Sequence, residues 1–281
     1  MSGPAFHFQP LSPDLVPSAC RLSTQAGWNQ EEEDWHRLLR LNPDGVRVWV
    51  DTGEVRASYS VMGYGGQVAW IGMILADLDY RGRGLGKAAF AGALEATQTA
   101  GYSLAGLDAT EMGEPIYRKF GFEGIGPIVR WRGTWQAPED PTKRNFVQQG
   151  MTPGILRLDA ESTGEDRAPL LRDLAQSAEI FHIERNGQTE AYAAVRPGRT
   201  ARQIGPVVAR STAGFADMLE ALAAIFPGED VLCDVLREEA APNLRALGLS
   251  PARHLQRMTL PRQNGCLQGT GVWCAAGFEW G

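Results

Sequence analysis

The stretch YRGRGLGKAAF, Tyr80 to Phe90, places Gly82, Gly84 and Gly86 at alternate positions among Arg81, Arg83 and Lys87. Leu85 lies inside the same loop, and an alanine-rich run that reads as a helix follows. Bare glycine N–H groups, the positive end of a helix dipole and three cations together suit an anion such as a phosphate. Two common phosphate loops do not fit. A Walker loop requires glycine five residues before Gly86 and Ser or Thr after Lys87, where Arg81 and Ala88 stand. The dinucleotide fingerprint requires its third glycine one residue later than Gly86, within a parallel βαβ unit. A purely structural glycine turn is the remaining alternative. Downstream, Asp108 in SLAGLDAT supplies a carboxylate, and Tyr117 in GEPIYRKFGF supplies a weak acid just ahead of Gly121-Phe122.

The elements that must position these groups read as mixed α/β. LVPSACRLSTQAG and NQEEEDWHRLLRL are two helices; Asn29 is the expected N-cap of the second, with Glu32 completing a capping box. The acidic run Glu31–Asp34 then falls in a first turn, where the helix dipole favours it. From Val46 onward, Asp51-Thr52-Gly53 and Gly65-Gly66 punctuate three β-rich runs, giving an antiparallel meander. The third run, Val68–Ala76, is apolar throughout and belongs at the centre of a sheet. The glycine loop, a helix to about Ala100, a strand through Asp108 and a short helix through Tyr117 follow. Prolines and mixed charge over residues 136–153 mark a boundary, so the expected domains are 1–140 and 150–281.

The second half repeats the first. A hairpin turns at Asn186-Gly187, ARQIGPVVA answers VAWIGMILA, a helix follows, and DVLCDVL places Asp234 opposite Asp108. Asp108 and Gly121 stand 13 residues apart, and Asp234 and Gly248 stand 14 apart. Such agreement points to an ancient duplication. The copies differ where chemistry is concerned: ARSTAGF has one glycine in place of the loop, and Leu244 answers Tyr117.

Composition narrows the function. Hydrophobic residues make up 43% of the 281 positions, which allows packed cores, and the net charge of -6 argues against a general nucleic-acid binder. Four cysteines without a C-x-x-C pair and four scattered histidines give no metal site, and reduced thiols suit a cytoplasmic protein. The N-terminal MSGPAFHFQPLSPDL lacks the basic and apolar regions of a signal peptide, and no run approaches the ~18 apolar residues of a membrane span.

The R-x-x-G-x-G loop at a strand-to-helix junction, followed in order by a strand and the Tyr-helix with its Gly-Phe pair, resembles the coenzyme A pyrophosphate loop and last conserved segment of the GNAT N-acetyltransferase superfamily. AGWN, LDAT and the terminal AAGFEWG resemble its tandem-repeat members. The resemblance covers residues 5–135 well. It implies two tandem GNAT-like domains, the second degenerate, each with a mostly antiparallel central sheet and flanking helices. It also implies acetyl-CoA lying between splayed strands about Ile71–Ala76 and Leu104–Thr110, with the backbone of Ile74, Leu75 and Ala76 receiving the pantetheine arm. Tyr117 matches the general acid. Trp28 and Asn29 match the acceptor loop, although Trp28 with Trp35 is equally a core stripe.

Magnitudes show where the chemistry is hard. A lysine-like amine of pKa ~10.4 costs roughly 4.6 kcal/mol to deprotonate at pH 7, whereas a thiolate of pKa ~8.5 leaves fairly well. The base is therefore the greater need, and it is weakly marked. The strand Val68–Ala76 holds no carboxylate. Asp108 is the best candidate, yet its repeat as Asp234 beside a lost tyrosine favours a structural part; His36 and an ordered water are the alternatives. The expected activity is transfer of acetyl to a primary amine of a small molecule in a ternary complex, without metal, membrane or nucleic acid. A non-catalytic acyl-CoA-binding module and a protein or peptide acetyltransferase are the competing readings.

Overall fold

The computed structural model describes residues 6–140, 142–143 and 147–281. The start of the N-terminal segment and residues 141 and 144–146 of the expected boundary lie outside the described residues. The chain forms two compact units, residues 1–107 and 108–281.

In the first unit five strands follow the order β1 (His7–Pro10), β2 (Val46–Asp51), β3 (Glu54–Tyr64), β4 (Val68–Ala76) and β5 (Leu104–Ala109). The last two residues of β5 fall in the second unit. β1 to β4 are antiparallel and β4 runs parallel to β5. The apolar run read as a central strand is β4, flanked by β3 and β5. Helix α1 (Val16–Gln25) and helix α2 (Glu32–Leu41) occupy the two expected positions. The N-cap of α2 is Glu31, not Asn29: the Glu31 carboxylate accepts from the backbone of Asp34, whose side chain accepts the Glu31 N–H at 3.0 Å. Two candidate capping pairs, Asn29/Glu32 and Glu31/Asp34, are offset by two residues, and the later one forms the reciprocal box. Trp35 is fully buried, its indole N–H reaching Ser23 Oγ at 3.4 Å, so it belongs to the core.

Helix α3 (Leu85–Thr99) presents Leu85, Ala89, Phe90, Ala93 and Thr97 to the sheet, one buried stripe at helical spacing. Gly101, at φ +80°, closes its C-terminal end in the left-handed conformation that favours glycine.

In the second unit helix α4 (Glu114–Lys119) leads into β6 (Glu123–Thr134), then β7 (Gln148–Gln149), α5 (Pro153–Thr163) and α6 (Ala168–Ser177). The repeated block is β8 (Glu179–Arg185), β9 (Gln188–Arg196), β10 (Arg202–Ala209), α7 (Thr212–Ile225), β11 (Asp230–Val235), α8 (Ala241–Ala246), β12 (Leu249–Leu260) and β13 (Val272–Cys274). Every repeated element that the sequence pattern implies is present. Gly121 and Gly248 share the left-handed conformation, at φ +90° and +89°. The strand order β12-β6-β11-β13-β10-β9-β8-β7 places β6 between β12 and β11.

Gly106 tests the close pairing of β4 with β5. A Cβ there would lie 2.4 Å from Cζ3 of the fully buried Trp70 ring. Gly106→Ala should destabilise the chain by about 1–3 kcal/mol through overpacking, read as a lower urea midpoint in circular dichroism.

Candidate active site

The loop between β4 and α3 has the form an anion nest requires. Gly82 and Gly84 sit at φ +77° and +81°, so only glycine takes these positions without strain, and Gly84 is the N-cap of α3. A Cβ added at Gly82, Gly84 or Gly86 would meet nothing within 4 Å, so space lies open above the bare backbone. The first N–H groups of a helix have no intrahelical acceptor and carry the positive end of its dipole. Arg81, Arg83 and Lys87 are exposed, and no ion pair engages them among the described residues. The Arg83 guanidinium lies over the Tyr80 ring at 4.7 Å, which holds it close to the loop.

A buried carboxylate anchors the base of this loop. Asp77 follows β4 directly, has no exposed side-chain surface, and accepts from Arg56 Nη1 at 2.9 Å, Arg21 Nη2 at 3.0 Å and the Asp79 N–H at 3.2 Å. Burial pushes the carboxyl up, but the hydrogen bonds from Arg56, Asp79 and Arg21 outweigh it and hold it below the usual carboxylate range. Arg56 also stacks over Tyr80, whose hydroxyl donates to Asp51 at 3.1 Å. Sequence reasoning missed this cluster; its one local signal is an aspartate immediately after an apolar strand.

The C-terminal half of β4 departs from its neighbours. Its described pairing with β5 covers Val68–Leu104, Ala69–Ala105 and Trp70–Gly106 and ends there, while β4 continues to Ala76. On the other side the register with β3 jumps from Ser60–Gly72 to Ser58–Leu75, leaving Met73 and Ile74 outside the ladder. Met73 takes φ +48°, and the Ser58 hydroxyl donates to its carbonyl at 2.8 Å. Such a bulge re-aims the backbone that follows, here Ile74, Leu75 and Ala76, of which Ile74 and Ala76 are partly exposed.

Tyr117 stands on α4. Its ring rests on Gly113, where a Cβ would come within 2.9 Å of it, and lies 6.5 Å from the Phe122 ring. Burial pushes its hydroxyl up to about 12, so it stays protonated at neutral pH. The Asp108 side chain is wholly buried, and Arg257 donates to both its oxygens, Nε at 2.8 Å and Nη2 at 2.9 Å. Burial raises the Asp108 carboxyl, with the Arg257 charge pulling against it. Trp28 and Asn29 lie on the connection between α1 and α2; Trp28 is partly exposed and Asn29 buried. His36 lies on α2. Among the described residues no group of three or more His, Cys, Asp or Glu side chains suits a metal ion, and no helix is long and apolar enough to cross a membrane.

Comparison with known proteins decides the family. Residues 11–125 and residues 155–266 each match an Acetyltransferase (GNAT) domain. The chain belongs to the GNAT acetyltransferases. It is a tandem GNAT N-acetyltransferase, an acyltransferase with two GNAT domains. The chain is 26% identical over 220 residues to YitH of Bacillus subtilis (strain 168), described as an uncharacterized N-acetyltransferase, covering 76% of this chain and 77% of that one. Its fold is similar to that of a Pyrococcus horikoshii protein described as an acetyltransferase, with a TM-score of 0.85 at 19% identity over 100% of this chain and 98% of that one. It is also similar to a tandem GNAT protein of the clavulanic acid biosynthesis pathway, with a TM-score of 0.61 at 17% identity over 91% and 98% of the two chains. GNAT membership implies acetyl-CoA as the acetyl donor, and the open glycine cradle on a helix N-terminus fits the donor's pyrophosphate.

The second GNAT domain closes the same features from within. The N-cap of α7 is Ser211, whose hydroxyl accepts the Gly214 N–H at 3.0 Å. The Ser211 hydroxyl donates a hydrogen bond to Glu190, whose carboxylate would lie 2.6 Å from a Cβ at Gly214. An internal carboxylate thus stands where an anion would bind, and Arg210 is spent on Glu161 at 2.8 Å. The diverging strands are filled too. β10 pairs with β11 over Arg202–Val231 to Ile204–Cys233, and then β13 enters, with Cys274 opposite both Val207 and Val235. Arg237 holds this strand by donating to Val272 O at 2.9 Å and Gly269 O at 3.0 Å. Trp273 stacks on Phe215 at 4.3 Å and donates to Ala209 O at 3.2 Å.

Acetyl-CoA should therefore bind once per chain; calorimetry returning two equivalent sites would contradict the closed second domain. Gly84→Val should weaken that binding at least tenfold, because a β-branched residue is strained at φ +81° and its side chain fills the cradle. The fold should survive, since nothing lies within 4 Å of the new Cβ. Unchanged affinity in the folded variant would leave the loop with a structural role alone.

Proposed function

We propose that this GNAT enzyme transfers the acetyl group of acetyl-CoA to the primary amine of a small molecule, by direct attack of the amine in a ternary complex. The observation that carries the reading is the loop Arg81–Lys87, with two left-handed glycines feeding the N-terminus of α3 beneath open space. In this reading Arg81, Gly82, Arg83, Gly84, Leu85, Gly86 and Lys87 hold the donor's pyrophosphate. The backbone of Ile74, Leu75 and Ala76, turned by the bulge at Met73, receives its pantetheine arm. The bound donor supplies an activated thioester. Trp28 and Asn29 line the acceptor's approach. The catalytic domain spans 1–140 and the second domain 150–281.

Tyr117 acts as the general acid. With its hydroxyl at about 12 it carries a proton at every pH where the enzyme would work. Full transfer to a thiolate of pKa ~8.5 would be uphill by roughly 5 kcal/mol, so its contribution is a hydrogen bond that strengthens as charge gathers on sulfur. Asp108 is poorly placed as a base, because the Arg257 fork occupies both of its oxygens. Its upward shift would suit a base, but a carboxylate locked to a guanidinium has little freedom to take a proton. Water then receives the amine's proton, and the acceptor enters as the free amine.

The test is thiol release from acetyl-CoA across a panel of free amines and amine-bearing peptides. Release with a free amine supports the proposal. Release with peptides alone makes the enzyme a protein acetyltransferase, and binding without any release makes it an acyl-CoA-binding module. Tyr117→Phe should lower turnover by roughly 10²-fold, the lower end for a general acid, with donor affinity nearly unchanged. The parent rate should rise with pH as the amine deprotonates and show no alkaline fall below about pH 11, since the functional form of Tyr117 is the protonated one. Parent-rate turnover in Tyr117→Phe, with chemistry rate-limiting, would remove the acid role.

A further inference from the structure

The duplicated segments share a third residue beyond their aspartate and glycine. Arg130 stands nine residues after Gly121, and Arg257 stands nine after Gly248. The ion pairs they make are crossed. Asp108 is held by Arg257, from the last long strand of the second repeat, and Asp234 is held by Arg130, from the last strand of the first. Both are two-pronged: Arg257 at 2.8 and 2.9 Å, Arg130 at 2.7 and 2.8 Å. The repeats have exchanged their final strands, and each aspartate is answered by the other repeat's arginine.

The two forks have unequal sequels. Two residues after Asp108, the Thr110 carbonyl accepts the N–H groups of Gly113 and Glu114, both at 2.9 Å, and its hydroxyl accepts from Gly113 at 3.2 Å. That turn launches α4, where Tyr117 donates its own N–H to Gly113 O at 3.1 Å and lays its ring over Gly113. After Asp234 the corresponding helix α8 carries Leu244, fully buried and without a proton to give.

We propose that Arg257 is a positioning residue for acetyl transfer. By gripping both oxygens of Asp108 it fixes the end of β5 and the Thr110 turn, and so sets where α4 presents the Tyr117 hydroxyl. The inference rests on the reading of Tyr117 as the acid. The Arg130–Asp234 fork is its structural twin with no acid to place, and it supplies the control.

The experiment compares Arg257→Gln with Arg130→Gln, each alone, and Arg257→Gln also in the Tyr117→Phe background. Both single variants should lose similar thermal stability. Arg257→Gln should lower kcat about 10- to 100-fold with KM for acetyl-CoA within about threefold, as expected for a misplaced group. Arg130→Gln should keep kcat within about threefold. In the Tyr117→Phe background the Arg257 loss should largely vanish, because the two changes remove one contribution. Should Arg257→Gln fail to fold, the neutral pair Asp108→Asn with Arg257→Gln is set against Asp234→Asn with Arg130→Gln. Equal effects of the two forks on kcat, or an Arg257 loss that persists beside an impaired Tyr117→Phe, would overturn the proposal. Parent-rate turnover in Tyr117→Phe would instead strike at the acid reading, a result distinguishable from either.

Discussion

Two parallel strands that begin paired and then diverge create a debt of backbone hydrogen bonds. β4 and β5 are paired over Val68–Trp70 and Leu104–Gly106, and β10 and β11 over Arg202–Ile204 and Val231–Cys233. Past those points each strand carries N–H and C=O groups that need a partner in water, in the chain or in a ligand. The second domain answers with its own β13, clamped by Arg237 and Trp273. The first domain has a bulge at Met73 that turns its backbone, and the proposed partner there is the amide-bearing arm of the donor. In the proposed reading the same constraint is solved inward in one copy and outward, toward the donor, in the other.

Charge follows the same division. At the N-terminus of α3 the dipole faces open space and three exposed cations, whereas at α7 it is met by Ser211 and Glu190. The crossed forks of Arg257 and Arg130 are a separate use of charge. Buried pairs gain little net stability over apolar packing, but losing one partner costs about 3–5 kcal/mol because a charge is stranded. Their value is geometric: two parallel hydrogen bonds fix an angle as well as a distance, which a single apolar contact does not.

The parts legible in the sequence were those encoded within a few residues. The glycines and cations of Arg81–Lys87 announce a nest, the apolar run Val68–Ala76 announces a central strand, and the matched spacing of Asp108–Gly121 and Asp234–Gly248 announces the duplication. The cap of α2 was misplaced by two residues because Asn29/Glu32 and Glu31/Asp34 offer the same local chemistry. Asp77 with Arg21 and Arg56, the Met73 bulge, and β13 between β10 and β11 depend on partners 12 to 67 residues away, and no local pattern reports such pairings. The resemblance to the GNAT superfamily filled part of that gap for the loop and Tyr117. It could not tell that the final strands of the repeats are exchanged, since strand exchange leaves each repeat's own pattern untouched.

Strand exchange also gives the second domain a structural part in the first copy. Once β6 lies between β12 and β11, the strand that follows Tyr117 is built into the sheet of the second domain. Arg257, on β12, is then the group that holds Asp108. The glycine loop and the tyrosine that the second copy lacks take no part in these contacts. Loss of its sheet would leave β6 without its partner strands and Asp108 without Arg257. The second domain supplies the strands that β6 pairs with and the Arg257 guanidinium on Asp108, while β13 occupies the gap between its own β10 and β11.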